Sequence, residues 1–328
     1  MQPTDTNNSL PPFRRYLRAA AALFLALYLA PVFLLRIPSF EHWGGSSFGP
    51  ALDYGFQIAH QDADIVIFGD SSAAVGLDPL QMSSALGLKV INLPNTGASL
   101  HVVSDMNLKR YLANNKPPRL IVFYFTPWNL DYTHEPAGGR IYEGEEMLIR
   151  HGSPLQIATF ALTHVIDTLE FPFRFYSANP PNAIRTSLRH EHPAPAVAAA
   201  MGHADPLSRR PPLTSPCAFP PDLTRTKPSS TARTLIQTYT TPPTDTLFYI
   251  APMPACINVE TFTRRNYSEV HAAPPRVLPV LSFKLDFAYT HLLPEAVPDA
   301  TAKLTEAIRA RLALPREPFL QKPLARVP

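Results

Sequence analysis

Cysteine is almost missing from this chain. Cys217 and Cys256 are the only two, and neither stands in the spacing of a metal site, which sets aside a thiolate-ligated metal centre. Charge is also sparse. Asp, Glu, Lys and Arg make up 17% of the 328 residues and leave a net charge of +3. The basic residues are scattered and form no single stripe, which argues against nucleic acid as a partner. No internal repeat is visible. What is abundant is apolar surface and proline: 45% of residues are hydrophobic, enough for a sizeable core in one large domain or two small ones, and there are 38 prolines. Much of that proline falls outside the stretches that read as strand or helix, and those parts are expected to be irregular, partly extended surface segments.

The longest uncharged stretch is Ala19 to Leu35, 17 residues reading AAAALFLALYLAPVFLL. As a helix it is about 26 Å long, just sufficient to cross a bilayer. Arg14, Arg15 and Arg18 lie immediately before it, so by the positive-inside rule the amino terminus is expected in the cytoplasm and everything after Arg36 outside. A cleaved signal peptide is the competing reading. Ala30 has Tyr28 at the critical cleavage position and Pro31 follows it, which favours a retained anchor. The expected organisation is a cytoplasmic tail (1–18), a transmembrane signal anchor (19–36), an exported domain (37–314) and a tail (315–328). In an exported domain the two cysteines can pair, closing a loop of about 40 residues worth ~3 kcal/mol in the loop-entropy model; two separate buried thiols are the other reading.

The exported part alternates strands with helices. Apolar runs bounded by turn residues predict strands at Ile65–Phe68, Leu88–Asn92, Leu120–Phe125, Leu247–Ala251 and Val277–Phe283. Helical spacing is expected over Leu100–Ala113, Glu145–Arg150, Leu155–Leu169 and Thr231–Thr240, and in a closing helix carrying Ala302, Leu304, Ile308 and Leu312. A connector with a short helix fills 38–63. Continuous apolar strands separated by helices imply an α/β fold, a three-layer parallel sheet covered on both sides. The stretch from Tyr132 to Asp245 is too long for a loop and is read as a helical, Pro-rich insertion over the carboxyl edge of the sheet.

That edge is where open α/β sheets place their ligands. The first strand ends in Gly69-Asp70-Ser71-Ser72, so Ser71 stands at a strand-to-helix turn with helix N–H groups nearby. The same tripeptide also reads as a helix cap. After the second strand comes Asn92-Leu93-Pro94-Asn95-Thr96-Gly97, and after the third Thr126-Pro127-Trp128-Asn129-Leu130-Asp131. Ahead of the last helix lies Asp286-Phe287-Ala288-Tyr289-Thr290-His291-Leu292-Leu293-Pro294. In these four blocks, and in their order, the chain resembles the SGNH (GDSL-type) hydrolases, whose fold is a flavodoxin-like three-layer sheet. The insertion at 132–245 lies outside the resemblance.

The resemblance implies Ser71 as nucleophile, His291 as its base, and an oxyanion hole built from the Ser71 and Gly97 backbone N–H groups and the Asn129 side chain. It departs from the family twice. Ala288 stands where an Asp is usual, which leaves Asp286 to orient the imidazole, or a Ser–His dyad helped by a backbone carbonyl or by an acid elsewhere. Pro127-Trp128-Asn129-Leu130 keeps the Asn of the usual Gly-x-Asn-Asp block but not its Gly and Asp. Anchored, exported members of the family accompany membrane-bound O-acyltransferases in bacterial envelope and exopolysaccharide modification. The implied function is therefore an esterase or O-acetyltransferase, anchored in the bacterial inner membrane and facing the periplasm. Its partners would be an acylated glycan or acyl donor and a membrane-bound O-acyltransferase or polysaccharide synthase; the chemistry requires no metal or cofactor. The alternative is a catalytically degenerate relative kept for carbohydrate binding or as a scaffold of, for example, a cellulose synthesis complex.

Overall fold

The computed structural model describes residues 12–37, 48–126, 129, 141–189, 193–204, 231–252, 276–277 and 291–313. Helix α1 (Pro12–Leu34) comes first, then α2 (Gly49–Gln57), β1 (Ile65–Gly69), α3 (Ser71–Gly76), α4 (Pro79–Leu86) and β2 (Val90–Pro94). Helices α5 (Gly97–Val103) and α6 (Met106–Asn114) lead to β3 (Leu120–Phe125). Within the expected insertion lie α7 (Tyr142–His151), α8 (Pro154–Thr163), α9 (Val165–Arg189), α10 (Pro193–Ala199) and α11 (Thr231–Tyr239). The chain then forms β4 (Asp245–Ile250), a two-residue β5 (Arg276–Val277), a 3-10 turn at Pro294–Ala296 and α12 (Val297–Arg311).

The strands make one parallel sheet in the order β2-β1-β3-β4-β5. Parallel strands need crossovers, and these cover both faces, so the strands bury both sets of alternating side chains. Val66, Phe68, Ile121, Phe123, Phe125, Phe248 and Ile250 join a core under α2, α5, α6 and α11. Ile65, Ile67, Leu120, Val122, Tyr124, Leu247 and Tyr249 join a second core under α3, α4 and α12. The layered α/β sheet is as the sequence implied.

Several boundaries differ from expectation. The helix expected over Leu100–Ala113 is two helices, broken at Ser104, whose φ of 50° lies in the left-handed region. The helix expected over Leu155–Leu169 breaks at His164 and resumes as α9, which runs through Pro172, Pro180 and Pro181 to Arg189. Proline is thus no mark of irregular chain there, while Pro31 lies within α1 as the reading of the apolar run as a helix implied. The second strand starts two residues later than expected, at Val90, and beyond Val277 the expected fifth strand lies outside the described residues. One flank of the sheet, β2, is covered by the chain after α10: the Asn92 N–H donates to the Met201 carbonyl at 2.9 Å, and the Ala204 N–H to the Ala74 carbonyl at 3.0 Å.

Among the described residues one helix is long and apolar enough to cross a membrane, Phe13–Leu34, and 6% of its most apolar window is buried against the rest of the chain. It begins ahead of Arg14, Arg15 and Arg18, so the basic cluster forms the first turns of the same helix. At its other end Arg36 reaches the domain: its Nε donates to the Ile149 carbonyl (2.9 Å) and its Nη2 to the Gly152 carbonyl (3.0 Å), occupying carbonyls at the end of α7.

Candidate active site

Three neighbouring strands set the site. In the sheet β1 lies between β2 and β3, with Gly69 in register with Pro94 on one side and Tyr124 on the other. Ser71, Gly97 and Asn129 therefore follow the carboxyl ends of adjacent strands. The turn out of β1 requires glycine: a Cβ at Gly69 would stand 2.0 Å from the Tyr124 carbonyl oxygen and 2.7 Å from the Ala73 Cβ.

Asp70 is the fixed point of this edge. It is fully buried, and its two carboxylate oxygens accept five hydrogen bonds. One oxygen takes the Ser72 N–H (2.9 Å) and Ser72 Oγ–H (2.5 Å). The other takes the Thr126 N–H (2.8 Å), the Thr126 hydroxyl (2.7 Å) and Asn129 Nδ2–H (2.9 Å). The first pair caps α3, as the helix-cap reading of the tripeptide expects. The second set ties the end of β3 to the start of α3. A buried carboxylate is tolerable here because its acceptor capacity is used by donors.

Ser71 is the first residue of α3 and is 7% exposed. Its Oγ lies 2.9 Å from His291 Nε2, although 220 positions separate the two residues. His291 is 8% exposed. Phe48, ahead of α2, stacks near its ring with centroids 6.1 Å apart. Leu292, next in the chain, packs against α3 so closely that a Cβ on Gly76 would meet its Cδ1 at 3.3 Å. Both contacts hold the imidazole against the helix that carries the serine.

Gly97 opens α5 and faces Asn129 directly: a Cβ there would come within 2.6 Å of Asn129 Oδ1 and 2.9 Å of Nδ2. The structure thus joins Ser71 to His291, Asn129 to Asp70, and Gly97 to Asn129 at one rim. Asp286, together with Ala288, lies outside the described residues, as do Cys217 and Cys256. Among the described residues no cluster of three potential metal ligands occurs.

Two contributors were not assigned from sequence. Thr126, the first residue after β3, gives Asp70 two of its five hydrogen bonds; its place at a strand end beside Gly-Asp-Ser is the signal that marks it. Glu143 of α7 accepts a hydrogen bond from the hydroxyl of Thr96, which caps α5 immediately before Gly97. Nothing in the sequence pairs those two residues. Helix α7 approaches this close because Gly144 lies against Val102 and the Ala98 carbonyl, where a Cβ would meet atoms at 2.6 and 3.1 Å. Two buried carboxyls follow on α7. Burial pushes Glu146 up to about 7 despite Arg150 at 2.9 Å, and Glu145 up to about 8 despite Arg174 at 3.6 Å.

Comparison with known proteins finds no protein-family model, no curated protein and no solved structure that matches this chain.

Proposed function

We propose that the chain is a membrane-anchored serine acyl-transfer enzyme of the SGNH type, an esterase or O-acetyltransferase acting on an acylated glycan outside the cytoplasmic membrane. The observation that carries this reading is the 2.9 Å contact between Ser71 Oγ and His291 Nε2. An alcohol and an imidazole within hydrogen-bond reach, both largely shielded from water, are what a nucleophile and its base need. A degenerate carbohydrate-binding or scaffold protein has no use for that pair, so the catalytic reading is preferred.

In the proposed reaction Ser71 Oγ attacks the acyl carbonyl while His291 Nε2 takes the hydroxyl proton. Negative charge develops on the carbonyl oxygen, and the Ser71 and Gly97 N–H groups and Asn129 Nδ2 supply donors for it. Asp70 accepts from one Asn129 Nδ2–H and leaves the other free of that bond, which fixes the amide's direction before substrate arrives. His291 then protonates the leaving oxygen, an acyl-serine forms, and a sugar hydroxyl or water attacks it with His291 again as base. Asp286, or a backbone carbonyl in a dyad, orients the imidazole. The apolar α1 with its basic start supports inner-membrane anchoring with the domain in the periplasm, where a membrane-bound O-acyltransferase or polysaccharide synthase would be the partner.

The test is turnover of an acetylated chromogenic ester by the purified full-length protein beside Ser71→Ala. The expected loss is at least about 10³-fold, with a fluorophosphonate probe labelling Ser71 in the parent protein only. Equal rates and equal labelling would remove Ser71 from the mechanism.

A further inference from the structure

Two prolines in long helices leave carbonyls without partners, and the structure pairs each with a tyrosine from the other helix. In α1, Pro31 has no N–H for the carbonyl of Leu27, four residues back; that carbonyl accepts from the Tyr176 hydroxyl at 2.6 Å. In α9, Pro172 likewise strands the carbonyl of Thr168, which accepts from the Tyr28 hydroxyl at 2.9 Å. Facing water, both carbonyls would be satisfied by solvent. In hydrocarbon every backbone polar group must find its partner inside the protein.

The same stretch of α9 carries an apolar stripe that is exposed among the described residues. Val165, Ile166, Leu169 and Phe173 are 53%, 72%, 53% and 64% exposed, and their spacing puts them within about 100° of one another on the helix. Leu155 and Leu162 of α8 are 76% and 80% exposed, and α8 has no buried residue and no charge. On another face Arg174 draws the nearby charges together, meeting Glu170 at 2.5 Å, Asp167 at 3.7 Å and Glu145 of α7 at 3.6 Å, with Glu170 still 55% exposed. On a third face Phe171 and Phe175 pack with Val32, Leu34 and Leu35 at the end of α1. The stripe therefore runs beside α1 at the level of residues 27–35, the half of that helix nearer the domain.

We propose that the outward faces of α8 and of the first half of α9 lie in bilayer hydrocarbon beside α1. This rests on the reading of α1 as a membrane span. The domain then sits on the bilayer instead of hanging from a tether. Ile157 and Phe160 on the opposite side of α8 join an apolar cluster that includes Ala74 and Val75 of α3, the helix of Ser71, so the proposed nucleophile is held close to the membrane surface. Helix α8 is short for a crossing: at ten residues it is about 15 Å long against a hydrocarbon core of about 30 Å, so it enters or skirts one leaflet.

The test is photolabelling of the full-length protein in phosphatidylcholine vesicles containing a lipid with a diazirine in its acyl chain, read by peptide mass spectrometry. Label is expected on both 13–34 and 154–176. The triple variant Ile166→Asp, Leu169→Asp, Phe173→Asp is expected to lose label at least tenfold on 154–176 while keeping it on 13–34. Label on 13–34 alone in the parent protein would overturn the proposal and leave the span intact. Label on neither segment would overturn the span, and the proposal with it. Label on 154–176 that the triple variant retains would also overturn it, because the stripe would not be the lipid-facing surface.

Discussion

A methyl group at Gly97 tests whether Gly97 and Asn129 act as one oxyanion-binding unit. The Gly97 backbone lies outside the left-handed region, so Gly97→Ala keeps its conformation and its N–H, and the nearest atoms its Cβ meets are those of the Asn129 amide. The new Cβ would stand 2.6 Å from Oδ1, 2.8 Å from Cγ and 2.9 Å from Nδ2, where unstrained contacts with carbon begin near about 3.5 Å. The amide must retreat by roughly 0.6–0.9 Å. Its 2.9 Å bond to Asp70 resists that movement, and overpacking of this kind costs about 1–3 kcal/mol of stability. A displaced Nδ2 no longer meets the oxyanion, a loss of about 10²–10³-fold in kcat. Asn129→Ala alone should lose a similar factor. In that variant the offending atoms are gone, so adding Gly97→Ala should cost little more, and the double variant should equal Asn129→Ala within about threefold. The assay is ester turnover by the two single variants, the double variant and the parent, with thermal unfolding to confirm folding. Losses that multiply in the double variant, or full activity in Gly97→Ala, would refute the reasoning.

Asp70→Asn places an amide where five donors converge, so at least one donor faces a donor; a stability loss of about 3 kcal/mol or more is expected in chemical denaturation, together with loss of ester turnover. Burial raises Glu146 to about 7 and Glu145 to about 8. Their folded-state values exceed the usual 4.5, so the contribution these two groups make to stability is full below pH 4.5 and is lost as pH rises through about 7 and then about 8. Denaturation at pH 5 and pH 9 checks the sign, and Glu146→Gln should flatten the lower part of the slope. Tyr28→Phe with Tyr176→Phe leaves the Thr168 and Leu27 carbonyls bare; in lipid vesicles the double variant should lose about 1–3 kcal/mol per carbonyl. Unfolding resistance equal to the parent would mean that water reaches both sites.

The sheet and the order of the site residues were legible because buried parallel strands are written as unbroken apolar runs. Leu120–Phe125 was delimited to the residue, and Gly69-Asp70-Ser71 announced its own turn. Breaks within helices were not legible. Ser104 interrupts the α5–α6 stretch with no Gly or Pro nearby, and Asp105 beside it is engaged by the Tyr239 hydroxyl at 2.6 Å, a partner 134 positions away. Pro172 was misread for a related reason. The group that relieves the Thr168 carbonyl is Tyr28, far off in sequence, and no local rule contains it. Asp70 was visible as a cap, whereas its grip on Thr126 and Asn129 depends on β1 and β3 being neighbours.

The strip that follows α10 has a temporal side. It arrives more than a hundred residues after β2, and a Cβ on Gly202 would strike the Asn92 carbonyl oxygen at 2.2 Å, so only an intimate fit seals that border. While the ribosome is still short of residue 200, the border strand offers bare amides and carbonyls to any passing chain. A stop codon or a cut before that point should yield a polypeptide that carries Ser71, Gly97 and Asn129 yet clumps with its siblings. Yield of folded protein, more than turnover, is then the trait on which substitutions in 193–204 would register.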